Sequence, residues 1–130
     1  MSKPFVFAST YGFTPGGAEK FAATADRITR YYEENEPDTR FFGVYVDPDG
    51  ARGATVMVHP DAAAMEHHLG LIDEEIVDIA RETIDMATYE VFMLGEATES
   101  ILEHTRRIAG SGAKVNVLPL TAFFGRLLQG

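Results

Sequence analysis

The spacing of apolar positions changes period several times along this chain, and each change predicts an element. From Lys3 to Phe13, "KPFVFASTYGF", β-branched and aromatic residues crowd a stretch closed by "TPGG", which predicts a strand. Phe5, Phe7, Ser9, Tyr11 and Phe13 share one face; Val6, Ala8 and Thr10 share the other. From about Pro15 to Asn35 the period becomes helical, with Phe21, Ala25, Ile28 and Tyr32 as the apolar stripe. Thr14 is read as its N-cap and Pro15 as its first position. "ENEPD" ends it, because the residue before a proline disfavours helix. "TRFFGVYV" and "ARGATVMVH" predict two strands joined by the turn "DPDG". A helix starts at Asp61, breaks near Gly70 and restarts at Asp73, running to about Met86. "ATYEVFML" is a fourth strand. Thr98 caps the helix "ESILEHTRRIAG", which has an acid in its first turn and arginines in its last. "AKVNVLPLTAFF" is a final strand.

This order gives a single α+β domain over residues 1–130: a ferredoxin-like βαββαβ with an antiparallel sheet, helices on one side, and an extra C-terminal helix and strand. Such a sheet has a second, open face. Phe5, Phe7, Tyr11 and Phe13, with Phe41 and Tyr45, are expected to make that open face apolar. A second copy of the chain would cover it, forming a homodimer through the faces that carry Phe7, Tyr11 and Tyr45.

Composition narrows the function classes. A net charge of -9 argues against a nucleic-acid groove or an anionic membrane surface. Without cysteine there is no disulfide, thiolate metal site or Cys nucleophile. No signal peptide or membrane span is read, and the expected location is the cytoplasm.

Chemistry concentrates in "HPDAAAMEHHLGLI", residues 59–72, which holds three of the four histidines. His67 and His68 are adjacent on a helix, about 100° apart, and make poor joint ligands. His59, Asp61 and His68 form a two-His, one-carboxylate alternative, but Asp61 has a competing role as helix N-cap. No bound metal is expected. Met65, His68, Leu69 and Ile72 share one helix face, so His68 is directed inward and His67 outward. An inward imidazole suits general acid–base work; the alternative is a core histidine satisfied by one hydrogen bond. "TPGG" lacks a phosphate-loop pattern, and no G-x-S-x-G elbow is present.

The run "EPDTRFFGVYVDPDG … ATVMVHPDAAAMEHHLGLI", from Glu36 to Ile72, resembles the antibiotic biosynthesis monooxygenase-like proteins. "PLTAFFGRL" resembles the aromatic-Gly-Arg ending of some members. That group of dimeric α+β barrels includes quinol oxygenases and haem-degrading enzymes. The resemblance implies a homodimeric oxidoreductase: a cofactor-independent monooxygenase acting on a small electron-rich aromatic, phenol or quinol-like. His68 is then the catalytic base and Tyr45 a catalytic group orienting the substrate. Phe7 and Tyr11 are expected to be substrate-binding walls, and His59 a second polar contact to the substrate or simply part of the turn. No cofactor is expected, and little or no haem binding. The alternative is a non-catalytic ligand-binding or structural protein of the same dimeric form.

Overall fold

The computed structural model describes residues 3–110 and 112–126. The chain order is β1 (Phe5–Phe13), α1 (Gly17–Asn35), β2 (Phe41–Val46), β3 (Arg52–His59), α2 (Ala62–Leu71), α3 (Glu74–Thr83), β4 (Ile84–Leu94), α4 (Glu99–Ala109) and β5 (Lys114–Leu118). One five-stranded sheet runs β2-β3-β1-β4-β5. Its first four strands pair antiparallel in the ferredoxin-like order. The added β5 pairs parallel to β4, so the sheet is mixed and not antiparallel throughout. The reason is α4: a helical crossover returns the chain to the same end of the sheet, which a hairpin does not.

Local signals explain most element ends. The side chains of Asp61, Asp73 and Thr98 accept bonds from Ala64, Ile76 and Ile101 N–H, capping α2, α3 and α4. The start of α1 departs from expectation. Gly16 is its N-cap, in the left-handed region at φ 74°, with no side-chain cap. The Thr14 hydroxyl instead donates to the Glu82 carbonyl at 2.8 Å, tying the end of β1 to the end of α3. α3 stops at Thr83, earlier than Met86, and β4 begins at the next residue. β5 ends at Leu118, short of Phe124, because Pro119 has no N–H to offer a strand ladder. Leu127, the last residue of "PLTAFFGRL", lies outside the described residues.

The sheet faces are assigned by register, and here the expectation is overturned. Phe7 pairs with Met57 and Met93, and Phe42 pairs with Met57, so these four side chains share a face. Phe5, Phe7, Met57 and Met93 form one buried cluster with Met65 and Leu69 of α2 and Ile101 of α4. The aromatic face of β1 is therefore the helix-covered face; Phe7 and Tyr11 are buried by their own subunit. Tyr45 pairs with Ala54 and lies on the opposite face with Val6, Val56, Val58 and Phe41. It is 52% exposed. β1 is apolar on both faces, so alternation alone left its direction open. The bulkier aromatic set goes toward the helices, where it buries more area. Among the described residues no helix is long and apolar enough to cross a membrane.

Candidate active site

Glu36 follows the last residue of α1 and precedes Pro37. The proline forces it out of helical geometry, to φ -127° and ψ 77°. Its carboxylate is buried and meets α2. His68 is buried on the inward face of α2, beside Met65 and Leu69, as its helical spacing predicts. His68 Nδ1 lies 2.8 Å from Glu36 Oε2, and both side chains are only 2% exposed. A carboxylate accepts, so Nδ1–H donates. A neutral imidazole donating from Nδ1 has its lone pair on Nε2. His67 faces outward, and its Nε2 bonds the Asn35 carbonyl at 2.8 Å. The two adjacent histidines thus fasten α2 to the end of α1 twice, once in the interior and once at the surface.

The second oxygen of Glu36 is also held. The Thr39 hydroxyl donates to Oε1 at 2.9 Å, and Thr39 Oγ1 lies 3.0 Å from His59 Nδ1. Burial pushes the Glu36 carboxyl up, but the bonds from His68 and Thr39 outweigh it and hold the group below its ordinary 4.5. His59, the last residue of β3, is fully buried. Burial, helped by the nearby His68, lowers its pKa to about 4. Its Nε2 has no hydrogen-bond partner among the described residues.

His68 borders a cavity of about 140 Å³ between the sheet and the helices. Phe7, Tyr11, Phe42 and Met57 form the sheet side; Tyr32 and Ile28 of α1 are among the helix residues. The Tyr32 ring centroid lies 4.5 Å from that of His68 and 5.0 Å from that of Phe42. Deeper in, Tyr11 stacks on Tyr89 at 5.9 Å and shares a 2.8 Å hydrogen bond with Thr55. Burial pushes the Tyr11 phenol up to about 12 and the Tyr32 phenol upward as well, so both remain neutral. The walls are mostly apolar, with a few hydroxyls and one oriented imidazole. That combination suits an apolar ring carrying a polar substituent.

The structure therefore brings together Phe7, Tyr11 and His68 of the residues singled out from sequence. Tyr45 is on the far side of the sheet and shares no space with His68, which removes it from this site. His59 does not line the cavity; it stands behind it, with ring centroid 5.9 Å from that of His68. Asp61 caps α2 through Ala64 N–H, and no cluster of three metal-ligating side chains occurs among the described residues. Glu36, Thr39, Tyr32 and Phe42 were not singled out. Glu36 reads locally as a helix terminator, and only tertiary packing pairs it with a histidine 32 residues away.

The lowered pKa of His59 carries a stability consequence. Between pH 6.5 and about 4 the unfolded chain binds a proton that the folded chain refuses, so stability falls as pH falls through that window. The gap is worth about 3 kcal/mol. Glu36 acts at lower pH in the same direction: its contribution is present above 4.5 and lost as the carboxyl protonates. His59→Asn should flatten the first part of this slope in urea unfolding at stepped pH. An unchanged slope between pH 6.5 and 4 would show that His59 is not held neutral.

No protein-family model matches the chain, and no curated protein matches it in sequence. Solved structures do match in fold. MupZ from Pseudomonas fluorescens superposes with a TM-score of 0.68 at 19% identity, covering 96% of each chain. A protein from Bacteriodes thetaiotaomicron, described as a candidate antibiotic biosynthesis monooxygenase, gives 0.57 at 13% identity, over 68% of this chain and 85% of that one. A variant of SnoaB, a cofactor-independent oxygenase from Streptomyces nogalater, gives 0.55 at 15% identity, over 75% and 96%. At these identities the likeness is one of fold. The ferredoxin-like fold predicted from the order of strands and helices is the fold observed.

Proposed function

We propose that this chain is a monooxygenase of the antibiotic biosynthesis type that needs no cofactor and acts on a small, single-ring phenol or quinol. The observation that carries this reading is the buried Glu36–His68 pair at the wall of an apolar, aromatic cavity. The shared fold with a cofactor-independent oxygenase supports oxygen as the second substrate. Cavity size supports one ring: a cavity of about 150 Å³ suffices for benzene.

In this reading His68 Nε2 takes the proton of the substrate hydroxyl, and Glu36 stabilises the imidazolium. The phenolate gives one electron to oxygen. The resulting phenoxyl and superoxide combine at the ring carbon para to the oxygen. Loss of water from that hydroperoxide, with the proton returned from His68, leaves a quinone. The sum is phenol plus O₂ to quinone plus water. Tyr32, whose ring centroid lies 4.5 Å from that of His68, takes the orienting role first expected of Tyr45.

The open sheet face, with Val6, Val56, Val58, Phe41 and Tyr45, is the surface for a homodimer, in place of the Phe7 and Tyr11 face. Sedimentation at micromolar concentration should give twice the chain mass; a monomer would contradict this.

Oxygen uptake with a panel of phenols and hydroquinones tests the activity. Uptake should occur with single rings and fall at least about tenfold in His68→Gln. Tyr45→Phe and Glu66→Ala should leave it unchanged. If no electron-rich aromatic supports uptake, the reading fails and the protein is a binding module.

A further inference from the structure

Four buried or partly buried side chains from three separate segments form one continuous hydrogen-bonded chain: His68 on α2, Glu36 and Thr39 in the loop after α1, and His59 at the end of β3. The protons in it can be assigned by elimination. Glu36 is held as a carboxylate and only accepts. The Thr39 hydroxyl has one proton, and at 2.9 Å it goes to Glu36 Oε1. Thr39 Oγ1 is then an acceptor toward His59, so His59 Nδ1 carries the proton across the 3.0 Å contact. His59 Nε2 is left as an unprotonated, fully buried lone pair without a partner among the described residues. The opposite tautomer would leave an N–H donor orphaned there and would turn two acceptors toward each other at Thr39, which costs more.

We propose that Thr39 and His59 are positioning residues that fix the Glu36 carboxylate so that Oε2 alone meets His68, locking His68 into the Nδ1–H tautomer. The chain runs in one direction, from His59 Nδ1–H to Thr39, from Thr39 O–H to Glu36 Oε1, with His68 Nδ1–H closing on Oε2. Without Thr39 the Glu36 carboxylate is free to turn away from Nδ1, which loosens its hold on that proton. The orphaned Nε2 of His59 fits this role. His59 is used through Nδ1 alone; His59 does not line the cavity, and its other nitrogen has no partner among the described residues. The inference rests on His68 being the base of the proposed reaction, but its test needs no substrate. Absence of oxygen uptake and failure of the lock are therefore separate results.

The experiment is nitrogen-detected NMR of the imidazoles at neutral pH in the full chain. The wild type should show Nδ1–H for both His59 and His68. Thr39→Val should shift the His68 tautomer ratio toward Nε2–H by roughly tenfold, the scale of one hydrogen bond, and Thr39→Ser should restore it. His59→Asn keeps a donor where Nδ1–H stood and should leave His68 as in the wild type, whereas His59→Leu should shift it as Thr39→Val does. A wild-type His68 in the Nε2–H form overturns the proposal. So does an unchanged His68 ratio in Thr39→Val, or in His59→Leu should the valine variant not fold.

Discussion

Glu36→Gln should lower turnover of a phenolic substrate by about 10²–10⁴-fold, with the fold intact. The amide occupies the same space as the carboxylate but removes the negative charge 2.8 Å from His68 Nδ1. That charge stabilises the imidazolium formed when His68 accepts the substrate proton. The amide can also turn an N–H toward Nδ1 and drive the His68 proton to Nε2, where it blocks the base. In serine-protease triads the corresponding amide change costs about 10⁴-fold. The check is oxygen uptake at saturating phenol alongside a near-ultraviolet spectrum for the fold. Turnover within threefold of wild type, on the order of 0.6 kcal/mol in barrier, would remove Glu36 from the mechanism.

His68→Ala should destabilise the protein by about 3–5 kcal/mol at neutral pH. The change leaves the Glu36 carboxylate buried with only the Thr39 hydroxyl as partner. It also opens a hole beside Tyr32 and Phe42. The first cost disappears if Glu36 is neutral; the second does not. Adding Glu36→Gln to His68→Ala should therefore recover part of the loss, with a coupling of about 1–3 kcal/mol in the double-mutant cycle. Strict additivity in urea unfolding would mean that His68 does not compensate the buried Glu36 carboxylate.

Element order was legible because the signals are local. Asp61, Asp73 and Thr98 cap helices wherever the rest of the chain goes, and "DPDG" turns a hairpin for its own reasons. The inward direction of His68 was legible for the same reason: Met65, Leu69 and Ile72 mark its helix face. The direction of β1 was not, since Phe7 and Tyr11 alternate with Val6 and Ala8, and both sets are apolar. That misplacement carried Tyr45 into the site, because Tyr45 was assumed to share a face with Tyr11. The β3 register puts Tyr45 opposite Ala54 and Tyr11 opposite Gly53, on different faces. Glu36 was hidden differently. Its helix-ending role accounts for it completely at the level of neighbours in sequence, and the bond that gives it a second role spans 32 residues. His59 was legible as chemistry but not as position. It is joined to His68 through Thr39 and Glu36 and does not line the cavity.

Under the proposed function a single aromatic ring binds inside the subunit against His68, and not on the open face of the sheet. Methyl and imidazole NMR during titration with phenol reads this directly, because the two faces carry different reporters. Shifts are expected at the Met57 and Met65 methyls and the His68 ring, with Val56 and Val58 unmoved. Shifts confined to Val56, Val58 and Tyr45, with His68 and the two methionines silent, would contradict it.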